Sequence, residues 1–153
     1  MHRKLRSHWP SAVVKQCRCK GCQFNLGGVV PTDCVTVLDA DKYGRLIGHE
    51  GKKCDCLVFV TKQRLIGAAV ELKSGSFRVS EVAEQLQSGA DQIDTLSEGQ
   101  NVGQFFPILL YGKVRHASEL KSLRRQGVAF RGTRYSIIRQ KCGTCLRDVL
   151  QSY

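Results

Sequence analysis

Two apolar runs close together in the middle of the chain limit what it can fold into. Residues 56–60 (CLVFV) and 65–72 (LIGAAVEL) are separated only by the polar Thr61-Lys62-Gln63-Arg64. Apolar runs of this length joined by a short polar turn predict adjacent strands of a hairpin. Both are too apolar for edge strands with one wet face, so they belong inside a sheet. Asp55 opens the first run, and Glu71-Leu72-Lys73 closes the second. Side chains alternate along a strand, so Glu71 and Lys73 share one face while Val70 and Leu72 share the other.

The flanking segments supply the other layers. Residues 34–39 (CVTVLD) predict an earlier strand, ended by a turn at Asp41-Lys42-Tyr43-Gly44, with Leu46-Ile47 a candidate to resume it. After Ser74-Gly75 the period lengthens: Val82, Leu86, Ala90, Ile93 and Leu96 fall on one helical face, with Ser80 as N-cap and Gly99 as stop. Residues 105–111 (FFPILLY) predict a buried strand with Pro107 near its start. Strand, helix, strand implies a right-handed crossover and a parallel pairing with the strand that ends at Lys73. A short helix over 116–126, with Ser118 as its cap, is followed by a basic hairpin over 128–131 and 134–139, and a last short helix runs toward Tyr153. The basic N-terminal stretch predicts an arm or a short helix after Pro10. The expected class is α/β with a central mixed sheet flanked by helices. The 153 residues suit a single domain: a basic, Cys-rich extension over 1–33, a core over 34–111 and a basic extension over 112–153.

Charge narrows the class of partner. Lys and Arg number 24 against 13 Asp and Glu, a net charge of +11. No acid precedes Asp33, and only Glu119 and Asp148 follow Gly112. A mixed-charge centre flanked by basic ends suits a polyanion, although a basic surface serving solubility gives the same totals. Lys121, Arg124, Arg125, Arg131, Arg134 and Arg139 are the candidate phosphate contacts, with Phe130 and Tyr135 either stacking on bases or filling the core. Such contacts carry no sequence information, so specificity would come from nucleic-acid shape, a partner or a guide; a protein partner or a homodimer is the other partner expectation. No apolar run is long enough for a membrane helix, and no apolar segment follows the basic start, which predicts a cytoplasmic protein.

Eight cysteines in such a setting favour metal binding or buried thiols over disulfides. Cys19-x-x-Cys22 and Cys142-x-x-Cys145 have the spacing of two halves of a tetrahedral zinc site that would tie the chain ends together. Cys17, Cys19, Cys22 and Cys34 could instead form a local site, and eight independent thiols remain the bland alternative. Cys54 and Cys56 read as small core residues. A cysteine nucleophile with His49 or His116 as base has no spacing to recommend it.

Asp55 and Glu71 on neighbouring strands could share one hard cation such as Mg²⁺, with Lys73 nearby to position water or stabilise charge. The bland alternative is a strand-capping Asp55 and a surface Glu71–Lys73 ion pair, worth no more than about 1 kcal/mol. An Asp, an apolar hairpin, Glu-x-Lys closing a strand, then helix and strand: this order resembles the PD-(D/E)XK nuclease superfamily over residues 34–111. The resemblance implies a restriction-endonuclease-like or Holliday-junction-resolvase-like core and hydrolysis of phosphodiesters, most of all in DNA, with Mg²⁺ or Mn²⁺. It assigns Asp55 and Glu71 to the metal and Lys73 to catalysis, with Glu50 and Gln85 in assisting places. His49 beside Glu50 is a further candidate ligand or base. Glu50 lies in a loop here, where the family often draws its extra Glu from a helix. The competing expectation is a non-catalytic nucleic-acid-binding or assembly subunit. Glu119-Leu120-Lys121, in the predicted helix, shows how readily the bare triplet arises.

Overall fold

The computed structural model describes residues 1–27, 31–112, 117–123 and 125–151. Helix α1 (His2–His8) is followed by a two-residue strand β1 (Val13–Val14) and a small hairpin of β2 (Cys17–Cys19) and β3 (Cys22–Phe24). A 3-10 turn (Thr32–Cys34) leads into β4 (Val35–Asp39) and α2 (Ala40–Leu46). The central hairpin is β5 (Cys56–Thr61) and β6 (Leu65–Lys73), then α3 (Val79–Leu96) and β7 (Val102–Tyr111). The chain closes with α4 (Ala117–Leu123), β8 (Gly127–Phe130), β9 (Thr133–Ser136), β10 (Ile138–Lys141) and α5 (Leu146–Gln151).

Six strands form one mixed sheet in the order β1-β4-β5-β6-β7-β10. β1, β4, β5 and β6 pair antiparallel in succession, whereas β7 runs parallel to β6 and β10 parallel to β7. The long α3 makes the crossover that a parallel β6–β7 pair requires. β5 and β6 are interior strands, as their near-continuous burial demands. The sheet separates two apolar layers. Leu57, Phe59, Ala69, Phe105 and Leu109 pack toward α3, while Val58, Val70, Leu72, Ile108 and Leu110 pack with Phe24, Leu146 and Val149 on the opposite side. α3 comes very close to the sheet at Gly89. A Cβ there would lie 2.7 Å from both the Ala69 Cβ and the Cys54 Sγ, so only glycine permits this approach.

Several local expectations are corrected. The N-terminal helix precedes Pro10, because residues after it pair with β4 instead. Asp41–Gly44 is helical rather than a turn: the Asp39 carboxylate accepts the Lys42 N–H at 2.8 Å and caps α2. Leu46 and Ile47 do not resume a strand; they end that helix, exposed. α3 starts one residue before Ser80, with Arg78 at the cap and no side-chain cap bond. Pro107 sits mid-strand in β7, just before the register with β10 begins at Ile108. The second arm of the basic hairpin stops at Ser136, since Ile137 and Ile138 are buried and the chain passes into the main sheet as β10. Both chain ends thus contribute strands to the sheet they were expected only to flank.

The cysteines are corrected as well. Cys17 is bonded to Cys56 and Cys22 to Cys142, leaving Cys19, Cys34, Cys54 and Cys145 as thiols. The tie between the two ends exists, but as a cystine. Cys19 and Cys145 do not join that pair: Cys19 hydrogen-bonds to Asp55, and Cys145 donates to the Gly27 carbonyl at 3.4 Å. Cys56 is buried as expected but is half of a disulfide, whereas Cys54 is a buried free thiol.

Candidate functional site

The β5–β6 register sets the geometry. Cys56 faces Val70, and the Asp55 N–H donates to the Val70 carbonyl at 3.0 Å, so Asp55 continues the ladder beside Glu71. Asp55 also accepts the Leu72 N–H on Oδ2 at 2.7 Å, which fixes its carboxylate at the end of β6. Lys73, two residues beyond Glu71 on the same face, places Nζ 2.6 Å from Glu71 Oε1. The structure therefore brings Asp55, Glu71 and Lys73 together.

The electrostatics of this corner are unusual. Glu71 is 2% exposed, and its Oε2 has no hydrogen-bond partner. Burial, then the neighbouring Asp55 charge, push its pKa up to about 8, with Lys73 pulling the other way. Burial also raises Asp55, partly offset by the Leu72 N–H and the Lys73 charge. A buried carboxylate beside a like charge, with one oxygen unpaired, is expensive unless something else compensates it. In the absence of divalent ions, Glu71 keeps a proton in the native state that the unfolded chain gives up near its ordinary value of 4.5. Stability should therefore fall as pH rises from about 5 toward 8, by up to about 1.4 kcal/mol per pH unit. Urea unfolding in EDTA at several pH values checks this, and Glu71→Gln should flatten the dependence.

Of Asp55, Glu71 and Lys73, only Asp55 lines the adjoining cleft of about 770 Å³, which residues of other segments complete. Lys15, Gln16, Arg18 and Cys19 come from the N-terminal stretch, Asp39, Asp41 and Lys42 from the β4–α2 junction, Lys53 from the segment leading into β5 and Gln85 from α3. The Cys19 thiol reaches Asp55, and burial followed by the Asp55 charge raises its pKa. Gln85 lies beside the site as expected: its Nε2 donates to the Lys53 carbonyl at 3.1 Å, and its Oε1 is buried without a partner. Glu50 is exposed and is not among the residues lining this cleft. His49 turns to Ser88, with Nε2 3.3 Å from Oγ. His116 lies outside the described residues.

Several C-terminal basic residues also bond to protein groups. Arg131 bonds Asp94 at 2.6 Å and the carbonyls of Ser97 and Gln100, fastening the end of α3. Arg139 donates to the Leu120 carbonyl at 2.7 Å, and Arg134 to that of Arg125 at 3.4 Å. Lys121 and Arg125 are exposed, but neither lines the cleft, and Arg124 lies outside the described residues. Phe130 stacks on Phe105 at 4.5 Å, and Tyr135 meets the same ring edge-on, so both aromatics serve the core. Lys15 and Arg18 were read only as part of a general basic stretch without acids before Asp33, and Lys42 and Lys53 were not singled out.

Among the described residues, no group of three or more His, Cys, Asp or Glu side chains is arranged to hold a metal. Mg²⁺ does not require one, because one or two carboxylates with waters and substrate oxygens suffice. The unpaired Glu71 Oε2 beside Asp55 fits such an ion; the set of Cys19, Cys22, Cys142 and Cys145 does not fit zinc, because Cys22 and Cys142 are joined as a cystine. No family model, curated protein or solved structure matches this chain. No described helix is long and apolar enough to cross a membrane.

Proposed function

We propose that this protein is a metal-dependent nuclease hydrolysing phosphodiester bonds, most of all in DNA, with a PD-(D/E)XK-like core. The observation that carries the reading is the meeting of Asp55, Glu71 and Lys73 at one end of the β5–β6 pair, with Glu71 Oε2 buried and unpaired. The succession of antiparallel β4, β5 and β6, then α3 and parallel β7, supports the same core. Asp55 and Glu71 would hold Mg²⁺ or Mn²⁺, which supplies charge neutralisation and an activated water. Lys73, already bonded to Glu71, balances the carboxylates and stands where it can orient a water or stabilise a phosphate oxygen. Gln85 is the assisting group on the cleft wall, and Glu50 has no place in this site.

A binding or assembly subunit of the same fold is the second reading. It is favoured by one observation: Glu71 is almost fully buried and does not itself line the cleft. A divalent-metal titration with supercoiled and single-stranded DNA separates the two. Cutting by the parent protein supports the nuclease, whereas binding with no cutting under any divalent ion supports the binding subunit. A cytoplasmic setting goes with either reading, and there the two cystines would face a reducing thiol pool.

A further inference from the structure

The cleft has two unlike walls. On the β4–α2 side each cation stands beside an acid: Lys42 is 4.0 Å from Asp39, and Lys53 is 3.9 Å from Asp41. On the N-terminal side Lys15 and Arg18 are exposed, line the cleft and make no ion pair among the described residues. Arg18 and Cys19 also line a neighbouring hollow with Lys20, so the free positive charge continues past the cleft mouth. Cys17, next to Arg18, is bonded to Cys56, next to Asp55. The cystine thus fixes the spacing between the free cations and the acidic corner.

We propose that Lys15 and Arg18, held by the Cys17–Cys56 cystine, form the wall that grips the sugar–phosphate backbone of a nucleic acid and lays it against Asp55. This deepens the nuclease reading and rests on it, and it moves the phosphate contacts from the C-terminal half to the N-terminal hairpin. The physical basis is the state of each cation. Arg131, Arg134 and Arg139 are already donating to protein groups, so recruiting them would cost existing bonds. Lys15 and Arg18 need give up only water and counterions, the usual source of sequence-independent affinity. A phosphodiester held on that wall would lie in the cleft that Asp55 also lines, where a divalent ion would screen the two negative groups from each other.

The test is fluorescence anisotropy with a labelled single-stranded and a duplex oligonucleotide in EDTA, so that binding is read without cleavage. Lys15→Glu with Arg18→Glu should weaken binding at least about tenfold and make the salt dependence shallower by about two ions. Arg3→Glu with Lys4→Glu carries the same charge change on α1, away from the cleft, and should weaken binding by no more than about threefold. Lys15→Gln with Arg18→Gln, a milder change at exposed positions, guards against misfolding and should show the same order of effects. Equal losses in the two charge-reversed pairs, an unchanged salt slope, or no binding by the parent protein would overturn the proposal. Failure here is distinguishable from failure of the nuclease reading. Cleavage by a Lys15/Arg18 variant that binds like the parent removes only this wall; binding with the expected losses but no cleavage removes only the chemistry.

Discussion

Lys73→Ala should lower metal-dependent DNA cleavage about 100-fold or more while leaving oligonucleotide affinity within about threefold of the parent. Losing one preorganised positive donor at a site of developing charge typically costs rates of that order. Lys73 also balances Glu71, at 2.6 Å, and its removal would favour the protonated acid still further. Both effects act on chemistry rather than on the cleft wall, so rate and affinity should separate. Asp55→Asn should be at least as damaging. It removes a charge facing the cleft while the amide oxygen can still accept the Leu72 N–H, so the fold should survive. Gel analysis of supercoiled substrate, paired with anisotropy in EDTA, reads both quantities. If cleavage persists in either variant, or rate and affinity fall together, the assigned roles are wrong.

The second large effect concerns stability. The Cys22–Cys142 cystine closes a loop spanning 120 residues. Constraining so long a loop in the unfolded chain is worth about 5 kcal/mol by the loop-entropy account. That is comparable with the whole stability of many domains, roughly 5–15 kcal/mol. Cys22→Ser with Cys142→Ser should therefore lower the urea midpoint sharply, and reducing agent should do the same to the parent. An unchanged midpoint in both experiments would show that the two ends are held by packing alone. Noncovalent contacts do contribute there: Gly143 donates to the Gln23 carbonyl at 2.8 Å, Leu146 donates to the Asn25 carbonyl at 2.7 Å, and the Leu146 side chain is buried.

The parts of the fold legible in the sequence were those where burial imposes a strong period. Residues 56–60 and 65–72 declared interior strands, and the stripe from Val82 to Ile93 declared α3, because each must hide a continuous apolar surface. Asp55, Glu71 and Lys73 were legible for a related reason: charges at the margins of such strands stand out against their neighbours. Short elements were harder. In residues 39–46 the Asp39 cap and the turn signal at Asp41–Gly44 compete, and the buried Tyr43, edge-on to Trp9, decided for helix. The parallel β6–β7 pairing was legible through the intervening helix, but the cysteine pairings were not. Nothing in the spacing of Cys19-x-x-Cys22 reveals that Cys22 meets Cys142 while Cys17 meets Cys56, since those contacts depend on how the N-terminal hairpin lies on the sheet. For the same reason the basic residues of that hairpin could be counted but not aimed. The carbonyl partners of the C-terminal arginines were equally hidden, because they too depend on long-range packing.

Mn²⁺ binding followed by electron paramagnetic resonance tests the core of this account, the joint hold of Asp55 and Glu71 on one cation. The parent protein should bind one tight Mn²⁺ per chain, and both Asp55→Asn and Glu71→Gln should abolish that site without unfolding the protein. Undiminished binding in either variant, or no tight site in the parent, would show that the two carboxylates do not serve a metal.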